Sequence, residues 1–426
     1  MAFTYAYEWA SKSKGQIGAV MSESIKLYQG TTELTNKQKD EEALDFIKQK
    51  LSDLFNMKNI HFLFGAGTSV GAIPAMKGLI SKIEQQLDTT QEEKFKNLKE
   101  KNNENLEEIL GILYSKRAYN KGVQEKEKET EELIEVIEKT IFEEINIDFS
   151  THIAKKVLET YKTFYQKITY RNKDLVRVNI FTTNNDLFNE KALDNLNINY
   201  NNGFGGGLEK FFNPSRFDFT FSKKIENGIE KYEPLDNMIY LYKLHGSVNW
   251  IEAEGNSFFN IKEIIIPNQD EDNILIYPNP LKQGKSLTTP YTDIFREFQK
   301  KLLLDHSVLF VVGYGFNDEH INNIIYQALS SNSSLSVVVF NNCDVENLED
   351  CTKAIFNIDD KRIYKIFGTI KKNNEDKIIH YFDYIVENLI PNLNENQDKS
   401  ILEKFTKALS KALSKVDKKE EKNENR

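Results

Sequence analysis

One stretch, IHFLFGAGTSVGAIPAMK from Ile60 to Lys77, limits what this chain can fold into more than any other. Ile60, Phe62, Leu63 and Phe64 form a short apolar run of buried-strand type that stops at Gly65. Gly65 and Gly67 let backbone N–H groups approach a ligand with no Cβ in the way, and a helix starting near Ala75 would aim its positive end at the same place. The expected ligand is a diphosphate. An ordinary G-x-G-x-x-G dinucleotide loop is excluded, because Gly71 comes one position late and no acidic residue ends a second strand roughly twenty residues on.

The same strand-then-polar pattern recurs along the chain. LVRVNIFTTNND (Leu175 to Asp186) and MIYLYKLHGSVNW (Met238 to Trp250) are β-rich runs with polar carboxyl ends, Asn184 and Asp186 in the first and His245, Gly246 and Ser247 in the second. SVLFVVGYGF (Ser307 to Phe316) is a fully buried strand running into glycines, and LSVVVFNN ends at Asn341 and Asn342. Shorter strands are expected over EIIIP, NILIYP and Arg362 to Gly368. Helical spacing marks EEALDFIKQKLSDLF from Glu41, Gly78 to Leu87, His152 to Ile168, Tyr291 to Leu304, EHINNIIYQALS capped by Asn317 or Asp318, Asp376 to about Leu389, and LEKFTKALSKALSKV. The region from Asn189 to Asn237 reads as irregular, a covering loop or a connector.

Strand and helix alternating through most of the length predict an α/β fold, a doubly wound, mainly parallel Rossmann-like sheet, with an inserted helical module. Its divisions are a helical segment at 1–54, the sheet domain at 55–87 and 169–375, the Glu- and Lys-rich helical insertion at 88–168, and C-terminal helices with a tail at 376–426. At 426 residues the chain has room for roughly three domains of about 150 residues, or one large core with insertions. In an open α/β sheet, ligands sit at the carboxyl ends of the strands, so Asn184 and Asp186 are candidates on position alone.

Charge and composition narrow the partners. A formal net charge of −9 argues against a surface that coats nucleic acid, since neutralising phosphates needs clustered Lys and Arg. No apolar run reaches bilayer length, and the N-terminal residues lack a signal-peptide pattern, which points to a cytoplasmic protein with no membrane contact. Cys343 and Cys351 are the only cysteines, too few for a four-cysteine zinc ribbon.

Gly-Ala-Gly-Thr-Ser followed by Ile73-Pro74, then Thr183-Asn184-Asn185-Asp186, His245-Gly246-Ser247, Gly313-Tyr314-Gly315-Phe316 with Asp318, and Asn341 stand in the order found in sirtuin-like proteins, which this chain resembles over roughly 55–345 minus the insertions. The resemblance implies that Gly65, Ala66, Gly67 and Ser69 cradle the diphosphate of NAD. It further implies that Asn184 lies near the nicotinamide ribose with Asp186 two positions on, that His245 is the catalytic histidine, that Gly313 and Tyr314 hold the adenosine half, and that Asn341 meets the adenosine ribose. Asp318 reads more readily as a helix cap than as a ligand, and the other five histidines read as structural.

Protein-deacylating sirtuins carry a zinc domain held by four cysteines, which two isolated cysteines cannot build, so no zinc is expected and water becomes the acceptor. With GYGFNDEHI and a large helical insertion, the chain looks like the bacterial NAD-hydrolysing sirtuin-like proteins of anti-phage defence. That branch implies an NAD glycohydrolase that depletes NAD, homo-oligomers, and a HerA-like DNA-translocating ATPase as partner; no G-x-x-x-x-G-K-[ST] occurs here, so the motor would be another chain. The alternatives are an NAD-dependent protein deacylase and a non-catalytic scaffold that senses NAD or ADP-ribose.

Overall fold

The computed structural model describes residues 24–36, 38–102, 104–125, 127–169, 171, 175–225, 231–252, 261–267, 290–341, 350–372 and 375–391. The strand expected over NILIYP and the helix over LEKFTKALSKALSKV lie outside these residues.

Nine strands form the central sheet: β1 (Lys26–Gln29), β2 (Thr32–Glu33), β3 (Asn59–Phe64), β4 (Val178–Thr182), β5 (Asn199–Asn201), β6 (Met238–Lys243), β7 (Ser307–Val312), β8 (Leu335–Phe340) and β9 (Ile363–Phe367). Their order across the sheet is β2-β1-β9-β8-β7-β3-β4-β6-β5. Every pairing from β9 to β5 is parallel, and only the two pairings of β1, with β9 and with the edge strand β2, are antiparallel. This is the mainly parallel α/β sheet that the sequence predicts.

Alternation along each strand feeds two cores, one on each face. Ile60, Phe62 and Phe64 of β3 with Val308, Phe310 and Val312 of β7 enter one core. That face is covered by α1 (Asp40–Phe55), α6 (His152–Ile168) and α7 (Phe188–Asn195). Leu63, Leu309 and Val311 enter the other, under α8 (Tyr291–Leu302), α9 (Glu319–Ser331) and α10 (Asp350–Phe356). Burial on both faces is why these strands read as unbroken apolar runs. The helices α2 (Met76–Glu84), α3 (Thr89–Lys101), α4 (Leu106–Gly122) and α5 (Lys128–Ile145) close around a separate core of Ile83, Phe95, Leu110 and Ile137. No helix among the described residues is long and apolar enough to cross a membrane.

Four expectations are corrected. The segment before α1 contributes β1, which pairs with β9 in the register Lys26↔Phe367, and is not helical throughout. Residues 189–237 are not irregular: they hold α7, β5, strands Phe204–Gly205 and Lys210–Phe212 of a four-stranded sheet, and the hairpin Ser222–Ile225 with Lys231–Pro234. The strand expected over EIIIP lies ahead of it, at Ile261–Glu263, sharing only Glu263, and Ile265 and Ile266 are exposed. Asp376 does not open a helix: Thr369–Lys372 and Glu375–Ile378 form a hairpin, and Ile379 N–H donates to Gly368 O at 3.0 Å, tying it to the end of β9. The helical turn α11 (Phe382–Tyr384) begins only after it.

His61 sits wholly buried in β3, its Nδ1 3.2 Å from Asn179 Nδ2. Burial above all, with the nearby charge of Lys301, holds its pKa down at about 3. Below pH 6.5 the unfolded chain therefore takes up a proton that the folded chain refuses, so stability falls as pH drops from 6.5 toward 3. Urea midpoints at pH 7 and pH 4 should show the native protein losing about 3 kcal/mol more than His61→Leu over that interval. Equal losses in the two proteins would remove His61 as the cause.

Candidate active site

Sequence order reverses at β3, with β4 on one side and β7 on the other, and an open α/β sheet forms its ligand crevice at such a switch point. The loop after β3 and the loop after β7 meet there backbone to backbone. A Cβ on Gly65 would lie 2.5 Å from Gly313 O and Tyr314 Cα, and one on Gly67 would lie 2.6 Å from Gly313 Cα. Gly65 N–H donates to Val312 O at 3.0 Å and Gly67 N–H to Gly313 O at 2.8 Å. The glycines thus serve the contact between loops, and these two N–H groups, expected to face a diphosphate, are already engaged.

Beside the crossing is a cavity of about 630 Å³ along the carboxyl ends of β3, β7, β8 and β9. Gly67, Thr68, Gly313, Tyr314 and Asn341 line one wall, α6 another, and residues 378–383 a third. Asn341 Nδ2 donates to Tyr314 O at 3.4 Å, joining the ends of β7 and β8. Tyr314 is turned away toward α9, its hydroxyl lying 3.1 Å from Asn322 Oδ1 and 3.2 Å from Asp318 O.

The end of β4 lies on the other side of the glycine loop. Asn184 is buried, its Nδ2 donating to Thr68 Oγ1 at 3.0 Å and to Ser69 Oγ at 3.2 Å. Ser69 Oγ donates to Asp186 Oδ2 at 2.8 Å, and the Tyr161 hydroxyl reaches Thr68 Oγ1 at 2.7 Å and Ser69 Oγ at 3.1 Å. Burial, then the Asp186 charge, raises the Tyr161 pKa, so the phenol is neutral.

Below this knot is a buried lysine. Lys243 at the end of β6 pairs with Glu190 at 3.0 Å and donates to Ser247 Oγ at 2.7 Å and to the Asp186 carbonyl. Burial raises both Asp186 and Glu190 above the usual carboxylate range, against the pull of the Lys243 charge. Lys243 thereby pins the chain that carries Asn184 to the chain that carries His245, and Asn185 Nδ2 adds a bond to His245 O at 2.7 Å.

His245 Nε2 lies 2.8 Å from Asp318 Oδ2. The other oxygen of Asp318 accepts from the N–H groups of His320 at 2.8 Å and Ile321 at 3.2 Å, capping α9. One carboxylate therefore does both jobs, where the sequence favoured the cap alone. Burial opposes its charge, but the His245 contact and the two N–H groups outweigh it and hold the carboxyl at about 2. An ionised carboxylate only accepts, so Nε2 carries a proton and Nδ1 is the nitrogen left to act as a base.

Residues 178–355 match the SIR2-like domain. The matched span opens on β4 and closes in α10, so it contains Asn184, Asp186, His245, Gly313, Tyr314, Asp318 and Asn341. The glycine loop lies outside it, and enters the site because β3 pairs between β4 and β7, two strands of the matched span. No curated protein matches the chain. Among solved structures it is similar to one described as "Structural Basis for the Mechanism and Regulation of Sir2 Enzymes", at 11% identity and a TM-score of 0.38, covering 83% of this chain and 99% of that one.

Of the residues singled out from sequence, Gly67, Gly313, Tyr314 and Asn341 line the cavity. Ser69, Asn184 and Asp186 form the buried knot beside it, and His245 stands on the far side of that knot, one strand along. Gly65 and Ala66 lie behind the loop crossing and do not line the cavity. Thr68, Tyr161, Lys243 and Glu190 were not foreseen. Among the described residues no group of three or more His, Cys, Asp or Glu side chains could hold a metal ion.

Proposed function

We propose that this chain is an NAD glycohydrolase that cleaves NAD to ADP-ribose and nicotinamide with water as the acceptor. The observation that carries the reading is the His245–Asp318 pair at 2.8 Å, held one strand from Asn184, whose side chain bonds Thr68 in the lining of the 630 Å³ cavity. On this reading the adenosine half takes the cavity and the diphosphate crosses at Gly67 and Thr68, with Ala66 and Ser69 shaping the turn behind it. The nicotinamide ribose displaces the Asn184 bonds to Thr68 and Ser69.

The bond from C1′ of that ribose to the nicotinamide nitrogen then breaks, and its electron pair neutralises the positive charge on the ring. The sugar left behind is cation-like, so a placed water and a base suffice. The water oxygen bonds to C1′ and its proton passes to Nδ1 of His245, which Asp318 holds in orientation. Asn184 positions the ribose hydroxyls or the water without adding charge.

The same reading takes 55–87 and 169–375 as the NAD-binding domain and 88–168 as its insertion. It makes the chain a cytoplasmic anti-phage effector that acts by NAD depletion as a homo-oligomer, with a HerA-like ATPase as partner; these features rest on the motif resemblance. The test is chromatography of NAD incubated with the purified chain, alone and with such a partner. Nicotinamide and ADP-ribose should appear in equal amounts whether or not an acetyl-lysine peptide is present. Nicotinamide release that requires the peptide would make the chain a deacylase.

A further inference from the structure

Two donors on different elements reach the same two hydroxyl oxygens. Asn184 Nδ2, on the chain after β4, lies 3.0 Å from Thr68 Oγ1 and 3.2 Å from Ser69 Oγ, and the Tyr161 hydroxyl, on α6, lies 2.7 Å and 3.1 Å from the same atoms. The direction of these bonds follows from where the other protons go. Thr68 has one hydroxyl proton and gives it to Gly65 O at 2.9 Å, and Ser69 gives its own to Asp186 Oδ2 at 2.8 Å. Both oxygens are therefore acceptors toward Tyr161, whose phenol keeps its proton and shares it between them. In the free protein this second donor is redundant, since the two N–H groups of Asn184 already supply one to each oxygen.

The two donors differ in what holds them. The Tyr161 ring is wholly buried, lies flat on Phe188 with centroids 5.4 Å apart, and meets Phe64 and Phe382 edge-on at 6.1 Å and 5.0 Å. Packed on these sides it cannot turn, so its hydroxyl is a fixed point. Asn184 is the group that the glycohydrolase reading asks to leave, turning from Thr68 and Ser69 to the nicotinamide ribose. Its departure takes a donor from each of two buried residues, in the turn where the diphosphate is placed.

We infer that Tyr161 is a positioning residue: its hydroxyl takes over Thr68 and Ser69 when Asn184 turns to the nicotinamide ribose, so the glycine loop keeps its shape while the reacting sugar is bound. The inference deepens the glycohydrolase reading and rests on it for the identity of the ligand.

Calorimetry on the full chain separates this role from a structural one, because ADP-ribose carries the second ribose and ADP lacks it. Tyr161→Phe should weaken ADP-ribose about tenfold and leave ADP within about twofold of wild type. Its Tm should stay within about 1 °C of wild type, because the free protein keeps both Asn184 bonds. Tyr165→Phe is the matched control, a buried phenol one turn along α6 that donates to Asn189 Oδ1 at 2.7 Å. That variant orphans a buried carbonyl, so it should lower Tm by about 2–4 °C and leave both affinities unchanged. An unchanged ADP-ribose affinity in Tyr161→Phe, an equal loss for ADP, a Tm that falls as far as in Tyr165→Phe, or failure of ADP-ribose to bind overturns the role. Should ADP-ribose binding depend on Tyr161 while NAD is never cleaved, the positioning role stands and the glycohydrolase reading falls. Should NAD be cleaved with the same kcat and KM in Tyr161→Phe, the reverse holds.

Discussion

Alanine at His245 or Asn184 is expected to abolish nicotinamide release, cutting kcat/KM for NAD by about 10²- to 10⁴-fold. His245→Ala removes the base and leaves Asp318 with its charge and its two α9 N–H groups, so the fold should survive and the loss should fall on kcat. Asn184→Ala removes two buried hydrogen bonds, to Thr68 and Ser69, and should also cost about 1–2 kcal/mol of stability. A third variant separates orientation from proton transfer. Asp318→Asn keeps a good helix cap but loses the carboxylate that fixes the imidazole, so its activity should lie between that of wild type and His245→Ala. Full activity in both His245→Ala and Asn184→Ala would end the assignment, whatever the behaviour of Asp318→Asn.

How far the sequence could carry that assignment depended on whether each interaction leaves a local trace. The strands β3, β7 and β8 were readable because burial on both faces demands an unbroken apolar run, and α6 because Thr151 caps a stripe of Ala154, Leu158, Tyr161 and Tyr165. The same stripe hid the use made of Tyr161, since periodicity records that a ring faces inward and says nothing of a hydroxyl 2.7 Å from Thr68. Lys243 and Glu190 were invisible for a related reason: a lysine in a strand and a glutamate in a helix look solvated until the fold buries them together. The strand β1 has four residues, KLYQ, and its partner in β9 lies far along the chain, so no nearby pattern announces it. Asp318 shows the limit most plainly, because its cap is a local signal and its bond to His245 is not.

The glycines at the loop crossing make the other large prediction, and they can be ranked by what a methyl group would strike. Gly65→Ala sets a Cβ 2.5 Å from Gly313 O and Tyr314 Cα, and Gly313→Ala sets one 2.6 Å from Thr68 N with a φ of +65° besides. Backbone on both sides cannot yield as a flexible side chain would, so each variant must part the β3 and β7 loops or fail to fold. The expected cost is at least about 3 kcal/mol, enough to open the floor of the cavity. Gly71 has a φ of +96° but open space around it, so Gly71→Ala should cost only about 1–2 kcal/mol of backbone strain. Gly315 has neither constraint, its nearest neighbour being Asn317 Nδ2 at 3.5 Å, and Gly315→Ala should be nearly silent. Thermal melts and NAD binding across the four variants should therefore rank Gly65 and Gly313 worst, Gly71 next and Gly315 last. If Gly65→Ala folds and binds as well as Gly315→Ala, the two loops do not lie against each other, and the cavity, the link through Thr68 to Asn184 and the placement of NAD across them all lose their footing.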